Sequence, residues 1–557
     1  MFARRGRALV RMTLVNKKTW TALALAPLLL LLSACAGGAG PSGSESSTPV
    51  RNGSLTIGTN GQEPPCIAPA ENAGLNGPEL SRPLTDSVIY ENPKTGKLEP
   101  WLASSWTISP DGLDYTFTLR KGVTFSDGQK WDAAAFKANL DYIVNPATKS
   151  PMSASYIAPY AGSTVVNADT LKVHLSTPYS AFLRVLAQGF FGVVSPKEIA
   201  DAPGNICADP IGTGPFTLVK WTKGQSVEYT RNDAYNWGPP GTHTGAAYLK
   251  TYTVLILAED ATRYNALASG QVDAVDWVPA QSIASAKQNS SIGILQATTP
   301  GHPFTWWLNT TRAPFNDLKV RQALVTGIDR AQIVKSVLFG QYKTATGFLT
   351  SSTLDYAKND IPFNVTKANQ LLDEAGWTKR DSAGYRTKDG KRLTAYYPTS
   401  SAIAYRVQIA EQIQAQAKKL GVDIEIQYPT AQQLSERTIS GDYDINSGIW
   451  GTNTPDILWL KYDSKNITTP QRIGLNSSRL SDPKVDQYVQ EARETTDAST
   501  QAALYEKAQA RLIELAPAIP LFDDQRVVAY NKDTVHGLSL ETAYPAPYVF
   551  DAWTSGN

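Results

Sequence analysis

Two apolar periods alternate along this chain. In "NGSLTIGT" (52–59) Leu55 and Ile57 fall on one face, the two-residue repeat of a strand. Tyr115, Phe117 and Leu119 repeat in the same way. Ser126-Asp127-Gly128 then supplies turn chemistry. Asp132 stands where an N-cap belongs, and Phe136, Leu140 and Ile143 form the stripe of a helix. "NADTLKVHLS" predicts a turn and a strand. "PIGTGPFTLVKWTKGQSVEYTRND" predicts a loop, a strand, a turn and a second strand.

Further on the rhythm becomes α/β. Strand-like "LTAYYP" precedes a helix from about Ala402 to Leu420, with Ile409, Ile413, Ala417 and Leu420 on one face. Gly421 is its expected C-terminal cap. Val422, Ile424 and Ile426 alternate as a strand, and "DYDINSGIW" predicts another. Leu504, Ala508, Leu512 and Leu515 align on an amphipathic helix that Pro517 stops, and "RVVAYN" reads as a strand. Helices feeding strands favour a sheet covered on its faces. The stretch 51–557 carries no evident internal repeat and no long linker, and it is too long for one small core.

The apolar run from Trp20 to Leu32 is of another kind. Arg4, Arg5, Arg7, Arg11, Lys17 and Lys18 precede it, and no Asp or Glu occurs before Cys35. A membrane-spanning helix needs ~20 apolar residues, which weighs against a retained anchor. A basic head, a short apolar middle and small residues Ser33 and Ala34 read as a secretory signal peptide. Leu32-Ser33-Ala34-Cys35 resembles the bacterial lipoprotein box, whose cysteine carries the lipid and becomes the first residue after cleavage. Glycines, Pro41 and a serine cluster then form a flexible tether. The expectation is a signal peptide over 1–34, a tether over 35–50, lipidation at Cys35, and a body held at the outer face of the cell membrane by acyl chains.

Charge changes the picture little. The six cations of the signal removed, 46 of the 52 Lys and Arg face 50 Asp and Glu. No arginine-rich stripe points to nucleic acid. Of three cysteines, Cys66 and Cys207 remain after Cys35, an even pair in an exported body and so a disulfide candidate; the alternative is two buried thiols. G-x-S-x-G, H-E-x-x-H and C-x-x-C are missing, and Gly212-Thr213-Gly214 lacks the third glycine of a nucleotide fingerprint. His174, His243, His302 and His536 have no metal-ligand spacing. No metal or cofactor is expected.

At "PIGTGPF" the chain resembles the oligopeptide/dipeptide/nickel class of solute-binding proteins that serve ABC importers, family 5 of the bacterial extracellular solute-binding proteins. "LEPWLASSWTISPDGLDYTFTLRKGVTFSDGQKWDAAAFKAN", "LNTTRAPFNDLKVRQALVTGIDR", "ANQLLDEAGWTKRDSAGYRTKDGKRL" and "IPLFDD" agree in the family's order. The resemblance implies a monomeric receptor, not an enzyme, that delivers a solute to a permease and its ATPase subunits. It implies an α/β, two-lobed, periplasmic-binding-protein-like fold of class II type with a ligand cleft between the lobes. Lobe I would span 51–300, with a subdomain over about 86–209, lobe II 301–520, and the return to lobe I 521–557. Gly212 and Gly214 are expected to take backbone angles that other residues avoid.

Ligand contacts carried over from the family are Gln62 and Glu63; Trp306, Trp307 and Asn309; and Trp450, Gly451, Thr452 and Asn453. Adjacent strand residues point to opposite faces, so at least one of Trp306 and Trp307 belongs to a core. The resemblance breaks at one position. Peptide-binding members keep a carboxylate shortly after the lobe II tryptophan, and here Asn453 stands there. Asp456 either substitutes for it or caps the following turn. The solute is therefore a peptide, an oligosaccharide, a metal chelate or another small molecule. A lipid-anchored hydrolase is the alternative from another class, and the missing catalytic motifs weigh against it.

Overall fold

The strand Ser54–Thr59 forms where Leu55 and Ile57 alternate, and both are buried. It lies at the centre of a seven-stranded mixed sheet, parallel to Thr251–Ile256 on one side and to Ala274–Val275 on the other. Across that sheet the order is Ile292–Thr298, Gln525–Asn531, Ala274–Val275, Ser54–Thr59, Thr251–Ile256, Ser226–Arg231 and Phe216–Thr222. The computed structural model describes residues 48–71, 77–150, 152–469, 472, 474–541 and 544–555. The expected signal peptide, Cys35 and nearly all of the tether lie outside the described residues.

A second, antiparallel sheet carries the other lobe. Its order is Lys343–Thr344, Ala518–Asp523, Gly301–Leu308 and Ile445–Gly451. Beside it, Thr394–Pro398 pairs in parallel with Asp423–Gln427 through the helix Ala404–Leu420. That helix buries Ile409, Ile413, Ala417 and Leu420, as its period predicts. Each fully buried Ile or Leu contributes ~1.5–3 kcal/mol. Gly421 ends it at φ 87°, a left-handed angle that costs glycine nothing.

The extra subdomain is a four-stranded antiparallel sheet of Ala103–Ile108, Asp114–Leu119, Thr170–Leu175 and Tyr160–Asn167. The helix Ala133–Val144 packs on it through Phe136, whose ring lies 5.4 Å from that of Phe117. Asp132 caps the helix, accepting from the Ala135 N–H at 2.9 Å.

The chain passes between the two main sheets twice. Strand Ile292–Thr298 ends in the first sheet and Gly301–Leu308 begins in the second. Strand Ala518–Asp523 belongs to the second sheet and Gln525–Asn531 to the first. The crossings are thus 299–300 and Asp524, tied by the Thr299 N–H to the Asp524 carbonyl at 2.9 Å. The return expected at 520/521 falls inside a strand, because Pro520 pairs with Thr305.

Gly212 and Gly214 correct another expectation. Neither has a positive φ. A Cβ on either would run into the backbone around Leu84, so close approach of two chain segments, not backbone angle, requires glycine. Cys66 and Cys207 form a disulfide, with Cα atoms 4.7 Å apart. Among the described residues no helix is long and apolar enough to cross a membrane.

Candidate solute site between the lobes

All eight residues of Gly301–Leu308 are buried. Trp306 turns to one face of the sheet, where its ring lies 4.2 Å from that of Tyr397 within the lobe II core. Trp307 turns to the other face and donates from Nε1 to the Tyr462 hydroxyl at 3.3 Å. His302 faces the same way, its Nε2 2.7 Å from that hydroxyl and its Nδ1 3.0 Å from the Pro303 carbonyl. Burial first, then the charge of Lys461, pushes the His302 pKa down to about 3, so the imidazole is neutral.

The neighbouring strand, Ile445–Gly451, is at the sheet's edge. Its last residues reach lobe I. Trp450 is half-buried and donates from Nε1 to the Tyr156 hydroxyl at 2.7 Å. Gly451 leaves no room for a Cβ beside Tyr544. The Gln188 amide donates to the Thr452 hydroxyl at 3.1 Å and to Asn453 Oδ1 at 2.7 Å. Asn453 Nδ2 in turn donates to Glu91 Oε2 at 2.6 Å and to the Arg184 carbonyl at 2.9 Å.

Glu91 and Arg184 form an ion pair of 2.5 Å. Burial raises the Glu91 pKa, and Arg184 and the Asn453 amide oppose the rise. Both residues line a cleft of about 670 Å³ together with Gln296, Lys343, Asn453 and Glu541. Gln296 and Lys343 belong to the two different main sheets, so the cleft lies between the lobes. Glu541, at its edge, pairs with Arg82 at 2.5 Å.

The other residues expected to touch solute are engaged elsewhere. Gln62 is exposed. Glu63 accepts from Trp221 Nε1 at 2.5 Å and from the Gly224 N–H at 2.7 Å, which fastens it to a hairpin of lobe I. Asn309 is fully buried and spends its amide on the Gly441 and Tyr443 carbonyls and on Thr311. Asp456 makes no capping bond. It accepts from the Tyr179 hydroxyl at 3.1 Å and faces Arg493 at 3.7 Å.

Sequence reasoning passed over Glu91, Arg184, Gln188 and Lys461. A signal was present: each of the last three interrupts an apolar run, "AFLRVLAQGFF" or "DILWLKY". A polar side chain inside such a run needs a partner.

The fold and cleft define a two-lobed binding protein. A family profile described as "Bacterial extracellular solute-binding proteins, family 5 Middle" matches residues 97–465, and the chain belongs to that family. Its members are non-catalytic receptors, which removes the hydrolase alternative. The chain is 29% identical over 453 residues to the glutathione-binding protein GsiB of Salmonella paratyphi A, spanning 79% of this chain and 83% of that protein. NikA from Brucella suis, solved with Fe(III)-EDTA, superposes with a TM-score of 0.80 at 24% identity, covering 90% of this chain and all of that one. AppA from Bacillus subtilis, solved with a nonapeptide, gives 0.77 at 23%, covering 91% and 100%.

Proposed function

We propose that this chain is the lipid-anchored solute receptor of an ABC importer, and that it takes a peptide-like zwitterion of about tripeptide size. The observation that carries the reading is the Glu91–Arg184 pair in the interlobe cleft. A solute that loses its water there needs an opposite charge for each of its own. An ammonium meets Glu91, and a carboxylate meets Arg184. Glu63 and Asp456, the other acids considered for the amine, are not among the residues that line this cleft. A cleft of about 670 Å³ falls in the usual range for small-molecule sites, ~300–1,000 Å³. The similarity to a glutathione-binding protein supports the same size class. We assign lobe I to 51–300 with the segment after Asp524, lobe II to 301–523, the subdomain to about 86–209, and lipidation to Cys35.

The test uses the chain from residue 36 onward, which holds the whole folded unit Pro49–Asn557. Native mass spectrometry identifies a co-purified solute, and calorimetry measures glutathione and alanine tripeptide. Glu91→Gln should weaken a bound peptide at least tenfold, an order-of-magnitude expectation for a buried charge partner. Trp450→Ala should cost ~2–4 kcal/mol. Failure of both probes to bind the parent chain sinks the solute class. Binding indifferent to Glu91 and Trp450 puts the site elsewhere.

A further inference from the structure

Lys461 lies in the short helix Ile457–Tyr462, eight residues after Asn453, and is 4% exposed. Its Nζ sits between two indoles, 4.7 Å from the Trp307 ring and 4.5 Å from the Trp450 ring. Among the described residues no carboxylate pairs with it and no hydrogen bond ends on it. Asp456 faces Tyr179 and Arg493, and Glu91 faces Arg184 and Asn453, so neither serves as its counter-charge. His302, on the same side of the sheet, is neutral. The surroundings of Trp450 thus hold one cation without a counter-charge.

Two indole faces offset part of the cost of burying an ammonium, not all of it. Burial alone pushes the Lys461 pKa down to about 7, the mark of a cation that would gain from an anion beside it. Trp450 is the half-buried lid over this lysine, and its indole N–H reaches across to the Tyr156 hydroxyl of lobe I. Parting of the lobes would break that bond and release the indole that covers Lys461.

Resting on the receptor reading above, we infer that Lys461, held between Trp307 and Trp450, is the subsite for an acidic group of the solute beyond its terminal ammonium and carboxylate. The preferred solute is therefore a peptide-like anion, such as a tripeptide with a second carboxylate.

Calorimetry on two matched pairs tests this: Ala-Glu-Ala against Ala-Gln-Ala, and Ala-Ala-Glu against Ala-Ala-Gln. The parent chain should favour the acid of at least one pair by tenfold or more. In Lys461→Met that preference should shrink to less than threefold, with the neutral member bound as before. The ligand-free variant should melt no lower than the parent, since it loses an unpaired buried charge. A lower melting point with the acid preference intact makes the lysine a packing residue and overturns the inference. Peptides bound with a preference that ignores Lys461, or with none in the parent chain, overturn it while the receptor reading stands. A parent chain that binds none of the four overturns both. Lys461→Gln is read in the same way and decides the matter if the methionine variant does not fold.

Discussion

At the scale of single residues, the hinge side of lobe I holds an unequal charge count. Arg526 is fully buried and meets both Asp276 and Glu79, while its guanidinium lies 4.0 Å from the Trp277 ring. One cation cannot neutralise two carboxylates. Burial first, then the charge of Asp276, raises the Glu79 pKa from 4.5 to about 8, so the folded chain keeps that proton at neutral pH. An unfolded chain releases it near 4.5. Between these values the folded state binds more protons, so this contribution to stability is complete below about pH 4.5 and is lost as pH rises through about 8. Glu79→Gln mimics the protonated acid. Urea denaturation near pH 6 should find it within ~1 kcal/mol of the parent, and its stability should decline less between about pH 5 and 9. Asp276→Asn leaves Arg526 only the Glu79 carboxyl, which must give up its proton to pair with it, and should cost more than Glu79→Gln, by up to ~3–5 kcal/mol. Equal losses in the two variants would mean that Glu79 is ionised.

At the scale of elements, what was legible in the sequence is what neighbours in sequence decide. Asp132 caps its helix and Gly421 ends another because each acts within one turn. Leu55 and Ile57 mark a strand because every second residue shares a face. Gly212 and Gly214 were legible as special but not for the right reason, since Leu84, the segment they press against, is far away in sequence. The site divides in the same way. The loop from Trp450 to Asn453 stood out by its motif, whereas Glu91, Arg184 and Gln188 meet it only through the fold. The Cys66–Cys207 bond joins the loop after the first strand to the segment before "GTGPF", 141 residues away. Closing so long a loop contributes ~2–4 kcal/mol. A reductant should therefore lower the melting temperature, and Cys66→Ala with Cys207→Ala should match the reduced parent. Two free thiols titrated in unfolded, unreduced protein would exclude the bond.

At the scale of the whole molecule, the receptor has two sheets joined by a single two-stranded ribbon. The crossing segments at 299–300 and Asp524 run side by side, so any lobe motion turns on both together. Such a motion must part contacts that join the lobes, among them Trp450 to Tyr156, Gln188 to Asn453, and Tyr179 to Asp456 and Arg493.

The order of strands in the first sheet also has a consequence for the order of synthesis. Gln525–Asn531 does not extend the sheet at an edge; it is inserted between Ile292–Thr298 and Ala274–Val275. Until those residues leave the ribosome, the sheet that begins with Ser54 has a gap inside it, and Arg526 is not yet there to face Asp276 and Glu79. The first lobe therefore cannot finish before nearly the whole chain is made. A chain ending at Asp523 should lack a cooperative urea transition for lobe I, while residues 525–555 supplied as a separate peptide should restore it. A truncated chain with a sharp, parent-like transition would show that the gap does not govern folding.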